Sequence, residues 1–208
     1  MRTLAIDCAT EACSVALFGG GAEPVASEFL MLGRGHAERL VPMIAALPDH
    51  GRAERIAVSL GPGSFTGVRI GLAAARALAL AWNAEALGYP TLALVAAMAR
   101  EQAGAQPVSV AMTGGHGEWF VQDFTQDGAE EAPLASLAPA AATQGATHEL
   151  VAGTQAHALV AARGHGTALQ IWPDARRFAL LPPAVLTREL APLYGRAPDA
   201  RLPGKATA

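Results

Sequence analysis

The stretch "GPGSFTGVRIG", residues 61–71, constrains this chain more than any other. It follows "RIAVSLG", an apolar run of strand length, and opens "VRIGLAAARALALAW", which is apolar or small at nearly every position. A strand, a glycine-rich turn and a helix in immediate succession form the repeating unit of an α/β fold. Two uses of the turn stand open. Amide hydrogens and the helix dipole at a helix N-terminus favour an anion. Glycines also permit a sharp turn and close strand–helix contact. The spacing favours packing. A phosphate loop of the Walker kind needs a lysine and a hydroxyl residue after its last glycine, and here Val68 and Arg69 follow Gly67. Gly61, Gly63 and Gly67 also miss the dinucleotide spacing, and Pro62 brings no amide.

The rest of the first half supplies strands and helices around this unit. "TLAIDCA" and "CSVALFG" read as a hairpin, "AEPVASEFL" as a third strand, and "ALGYP" as a short strand. "GHAERLVPMIAALP" has Leu40, Val41, Ile44 and Leu47 at helical spacing. Pro42 falls inside that pattern, and an interior proline costs about 3 kcal/mol, so a kink or a helix start near Val41 is expected. The long helix is expected from Thr66 to about Trp82, capped by Thr66 or Ser64, and a further helix from Thr91. The order is β-β-β-α-β-α-β-α.

After a polar break at 100–107, "VSVAM" and "EWFVQDF" look like a second strand pair. "LVAG", "AHALVAAR", "LQIWP" and "PAVLTREL" then give a shorter β/α series. Two related α/β subdomains follow, 1–104 and a shortened 105–208 with an extended tail. The long helix is apolar on every face except for Arg69 and Arg76, and a helix of that kind is expected to be covered on more than one side.

Composition narrows the function. The 208 residues are 51% hydrophobic and 16% charged, enough apolar material for a core. Net charge is −3, Lys205 is the sole lysine, and the arginines are scattered, so no basic stripe offers itself to nucleic acid. The apolar run 68–82 reads as too short and too charged to span a bilayer, and no leader-like segment opens the chain; a cytoplasmic protein is expected. Cys8 and Cys13 flank a short turn and are expected as free buried thiols. The six histidines, His36 among them, form no short-spaced ligand pair, so neither a metal site nor a catalytic site is expected. A peptidase lacks its nucleophile elbow.

Three stretches carry a resemblance: "LAIDCATEACSVAL", "GHAERLVPMIAAL" and "GPGSFTGVRIGLAAARALA", with "PLYGRAPDARLPG" at the end. In order and spacing the chain resembles the bacterial TsaB (YeaZ) family. The resemblance implies an actin-like/sugar-kinase-like fold of two RNase H-like halves, the second reduced. It implies a non-catalytic part in forming N6-threonylcarbamoyladenosine in tRNAs reading codons that begin with A. The implied partners are the catalytic paralogue TsaD, the ATPase TsaE, a second copy when alone, and tRNA only through the complex. ATP or ADP is implied at a shared subunit boundary, with no cofactor of the chain's own. His36, Leu40, Val41 and Ile44 of the first helix, with Arg69, Leu72, Arg76 and Leu78 of the long one, become the expected partner interface. Asp7, Thr10, Gly61, Gly63, Ser64 and Thr66 become the expected remnant of a nucleotide loop. A small phosphotransferase of the same fold is the competing reading; it lacks a glycine where Ala9 stands and a second acidic loop. The chain departs from the family at 113–115, where Thr-Gly-Gly replaces an acid and an arginine.

Overall fold

In the computed structural model, which describes residues 1–195, two five-stranded sheets share one plan. The first half gives β1 (Thr3–Asp7), β2 (Ala12–Phe18), β3 (Pro24–Met31), α1 (His36–Ala46), β4 (Arg55–Ser59), α2 (Phe65–Trp82), β5 (Glu85–Tyr89) and α3 (Thr91–Ala103). The second gives β6 (Val108–Thr113), β7 (Trp119–Phe124), β8 (Ala135–Leu137), α4 (Pro139–Gly145), β9 (Leu150–Ala152), α5 (Ala156–Arg163) and β10 (Thr167–Leu169). Strand order is β3-β2-β1-β4-β5 in one sheet and, read in the matching direction, β8-β7-β6-β9-β10 in the other. In each, three antiparallel strands are followed by two parallel ones. Two mixed sheets built to one order, with helices, are the actin-like/sugar-kinase-like fold, and the three-residue β8, β9 and β10 are its shortened second copy.

Alternation along the strands of the first sheet divides its core. Leu4, Ile6, Val15, Leu17, Ile56 and Val58 face α1 and α2, where they bury Leu40, Met43, Ile44, Val68, Leu72 and Ala75. Ala5, Ala16, Phe18 and Ala57 face the other way, into a core shared with α3, the second sheet and a 3₁₀ turn at Ala175–Leu180. α3 is the helix buried all round: Thr91 through Ala99 are all buried. Within the described chain, cover on several sides is found on α3 rather than on α2. α2 buries Gly67, Val68, Gly71, Leu72 and Ala75 only.

Local expectations are adjusted in four places. α1 runs through Pro42 from His36, because Leu40, Met43 and Ile44 pack on either side of it and that burial outweighs the proline penalty. α2 begins at Phe65, with Ser64 as its cap: the Ser64 hydroxyl accepts from the Gly67 amide at 3.2 Å. The strand expected at "LQIWP" lies earlier, at Thr167–Leu169 beside β9, and "PAVLTREL" holds a 3₁₀ turn at Pro183–Val185. Over its 18 residues α2 has a mean hydropathy of 1.2, so by length and composition it is long and apolar enough to cross a membrane, contrary to the sequence expectation. Its buried side packs on the first sheet.

The chain returns from the second half to the first. Thr187 pairs with Gly88 at the edge of β5 through two backbone hydrogen bonds, 2.7 and 3.0 Å. The Leu193 amide then donates to the Leu60 carbonyl at 2.8 Å. Of the tail that carried part of the resemblance, residues 196–208, Lys205 included, lie outside the described residues.

Candidate functional site

The loop at 61–66 sits against the end of the β1–β2 hairpin, and its polar groups are turned inward. The Ser64 amide donates to the Ala9 carbonyl at 2.6 Å, the Gly61 amide to the Ser59 hydroxyl at 3.4 Å, and the Gly67 amide to the Ser64 hydroxyl. Glycine is required by contact: a Cβ on Gly63 would lie 2.0 Å from the Ala9 carbonyl oxygen, and one on Gly67 2.0 Å from that of Cys8. Both are far inside van der Waals contact. The Ser64 amide ties the loop to the hairpin, the other two bond within the β4–α2 connection, and the close approach of Gly63 and Gly67 to the hairpin gives these glycines a packing use.

Beside this loop, between the two halves, lies a cavity of about 710 Å³. Ala9, Thr10 and Glu11 line it from the first hairpin and Thr113, Gly114 and Gly115 from the second. Phe65, Val68, Phe120, Leu193 and Tyr194 make its walls largely apolar. Of the six expected loop residues, Thr10, Gly63 and Ser64 line the cavity; Asp7, Gly61 and Thr66 do not. Asp7 is buried at the end of β1, where its carboxylate accepts from the Ala9 amide at 2.9 Å and the Tyr89 hydroxyl at 3.1 Å. Burial raises its pKa to about 6, the Ala9, Tyr89 and Ser59 hydrogen bonds pulling against that and the Asp174 charge adding to it. A carboxylate so enclosed presents nothing to a ligand in the cavity, which corrects its expected place in a nucleotide loop. Among the charged residues of the lining, Glu11 accepts from the Trp172 indole at 2.7 Å, and Arg69 donates to the Tyr194 hydroxyl at 2.8 Å while stacking on Phe65 at 3.2 Å. The diverged 113–115 stretch closes the β6–β7 hairpin, with the Gly114 amide on the Glu118 carbonyl. Leu193 and Tyr194 were not legible as cavity residues, because the returning chain brings them there, and Phe120 was not, because it reaches the cavity from β7 of the second sheet.

The helical face divides differently from expectation. His36, Leu40, Ile44 and Leu72 are buried, and Leu78 is half-buried against the same core, so these five support the helices from beneath. The His36 imidazole meets the Ala12 carbonyl at 3.3 Å. Val41 is exposed on α1. Arg69 and Arg76 are exposed on α2, but both hold the returning chain, Arg76 through the Leu190 carbonyl at 2.5 Å. The outer side of α2 carries Phe65, Ala73, Ala77, Leu80 and Ala81, with Leu80 87% exposed and Phe65 60%. The same side carries the exposed Arg69 and Arg76, and Phe65 has the Arg69 guanidinium 3.2 Å over its ring and Tyr194 beside it, so the part of this face left open to solvent is Ala73, Ala77, Leu80 and Ala81. Among the described residues no group of three or more histidines, cysteines or acids gathers as a metal site.

Comparison with known proteins agrees with this architecture. The family model described as TsaD, tRNA N6-adenosine threonylcarbamoyltransferase, matches residues 27–158. The tRNA threonylcarbamoyladenosine biosynthesis protein TsaB of Escherichia coli (strain K12) is 40% identical over 132 residues, 61% of this chain and 56% of that protein. The chain thus spans about half the length of the curated relatives it matches. Among solved structures, YeaZ from Pseudomonas aeruginosa superposes with a TM-score of 0.73 at 28% identity, covering 93% of this chain and 99% of that one. An uncharacterized Pseudomonas aeruginosa protein with similarity to peptidase YEAZ gives 0.70 at 30% identity, over 86% and 89%. The ethanolamine utilization protein EutJ from Carboxydothermus hydrogenoformans, at 0.52 and 12% identity over 86% and 89%, shares the fold alone. The fold recurs over nearly the full length of YeaZ, 132 residues align with TsaB at 40% identity, and the chain belongs to the TsaB (YeaZ) family.

Proposed function

We propose that this chain is a non-catalytic subunit in the formation of N6-threonylcarbamoyladenosine on tRNA, and that it works by docking the outer face of α2 onto a catalytic paralogue of the TsaD kind. The observation that supports the reading is the open C-terminal part of α2, where Leu80 stands in solvent beside the exposed Ala73, Ala77 and Ala81. Fully burying a side chain of leucine size is worth about 1.5–3 kcal/mol, so Leu80 together with the neighbouring alanines offers a useful share of a subunit contact. The competing phosphotransferase reading is disfavoured, since Asp7 is enclosed and the Gly61, Ser64 and Gly67 amides are engaged by protein acceptors. In the proposed assembly the ATPase TsaE joins the pair, ATP or ADP sits at the boundary between subunits, and tRNA is reached through the complex. The target tRNAs read codons beginning with A, the setting is cytoplasmic, and without its paralogue the chain pairs with itself through the same face.

The test is to mix the purified chain with its TsaD-type paralogue and measure mass by size exclusion with light scattering. A one-to-one complex that displaces a homodimer is expected. Leu80→Asp should abolish it with an unchanged melting temperature, because Leu80 stands in solvent. Two species that ignore each other, or a complex indifferent to Leu80→Asp, would refute docking through this face.

A further inference from the structure

Cys8 and Cys13 are not used by any part of the function above, and the fold sets them opposite each other. The β1–β2 register runs Thr3 with Phe18 to Asp7 with Ser14, and its next step pairs Cys8 with Cys13. Both thiols are free and buried, and their sulfur atoms lie 3.6 Å apart. Directly opposed residues of an antiparallel pair have Cα atoms about 4.5–5.5 Å apart, inside the about 4.4–6.8 Å that a disulfide spans. Closing the bond to about 2.0 Å therefore takes a shift of side chains and leaves the strand pairing in place.

Cys8 is also the floor under α2. Its carbonyl is the atom that Gly67 approaches, and a Cβ on Gly71 would lie 3.6 Å from the Cys8 Cβ and 3.9 Å from its sulfur. The N-terminal half of α2 rests on this residue, and any movement of its sulfur toward Cys13 opens a gap beneath the helix.

We infer that Cys8 and Cys13 are a redox modification site: a peroxide converts them to an intramolecular disulfide, and the disulfide loosens the seating of α2. The hydrogen bond from Cys8 draws the Cys13 thiol below its ordinary range, so Cys13 ionises first. Its thiolate attacks one peroxide oxygen; an S–O bond forms, the O–O bond breaks and hydroxide leaves. Cys8 then attacks the sulfenic sulfur of Cys13; the S–S bond forms, the S–O bond breaks and the second oxygen leaves as water. Two thiols lose two electrons and two protons, and one peroxide becomes two waters. Both sulfurs being buried, peroxide reaches them through local opening of the hairpin.

The experiment uses the full chain and hydrogen peroxide. Trypsin releases residues 3–34 as one peptide that holds both cysteines and no internal lysine or arginine. After peroxide and alkylation of free thiols, that peptide is expected unalkylated and two hydrogen atoms lighter, reverting with dithiothreitol. Amide exchange over 67–72 should quicken by about tenfold in the oxidised chain, a local loosening rather than unfolding. The Cys8→Ser variant should stop at the sulfenic acid, trapped by dimedone, with no change in α2 exchange. Recovery of both thiols alkylated, at peroxide exposures that oxidise the urea-unfolded chain, would overturn the inference. So would a disulfide that forms while exchange in α2 stays as it was.

Discussion

Asp7 shows how much one buried carboxylate can cost. With a folded pKa of about 6 against an ordinary 3.8, the unfolded chain gives up its proton first as pH rises. Below about pH 4 both states are protonated and the residue is neutral in the balance; stability is then lost as pH climbs to about 6, and the loss stays constant above. The difference amounts to about 3 kcal/mol at neutral pH. Asp7→Asn should remove that slope, and urea midpoints at pH 4, 5, 6 and 7 would read it. Gly67 is the opposite kind of residue, fixed by what it lacks. Gly67→Ala drives a Cβ toward the Cys8 carbonyl oxygen and should cost about 2–3 kcal/mol in urea unfolding, although alanine ordinarily favours a helix. The sequence made the role of the glycine legible because its spacing failed every phosphate pattern. It made Asp7 less legible. A strand-end aspartate before a small residue reads the same whether it faces a cleft or, as here, a tyrosine 82 positions away.

At the scale of elements, α2 and α3 are the instructive pair. The sequence marked α2 as the helix apolar around its circumference, yet α3 lies buried from Thr91 to Ala99 and α2 leaves Leu80 in solvent. Periodicity reports how much apolar surface a helix carries, and only the packing of the second sheet decides which helix receives cover. The buried and open sides of α2 should answer differently to the same change. Leu72→Asp puts a charge into the core beside Leu40 and Ile44 and should unfold the chain, whereas Leu80→Asp should leave the melting curve in place. The two arginines were legible as the charged exceptions on an apolar helix, but their partners within the chain were not. Arg76→Ala removes a hydrogen bond to the Leu190 carbonyl and should cost about 0.5–1.5 kcal/mol, with faster proteolysis around residue 190.

The whole molecule is a duplication whose second copy has been worn down to three-residue strands at β8, β9 and β10. The strand pair that opens each copy was plain in the sequence, because long alternating runs announce themselves. Of the three shortest strands, β9 was legible at "LVAG", β10 was placed two residues late and β8 was not read as a strand, since three residues carry too little pattern to fix a boundary. The return of the chain to β5 was invisible, being a matter of two backbone hydrogen bonds between Gly88 and Thr187. Ending the chain at Leu186 removes these and the Leu193–Leu60 bond, and should lower stability by roughly 2–4 kcal/mol in urea.

That return joins the halves a second time. One crossing runs from α3 into β6, and the other comes back along β5 to Leu60. Between the two crossings the halves also share a buried core, from Ala5 and Phe18 through α3 to Val110 and Phe120, and the Ala175 amide donates to the Ser14 hydroxyl. The two lips of the cavity, Ala9–Glu11 and Thr113–Gly115, therefore stand on one continuously packed body, with the returning segment as a further tie along its side.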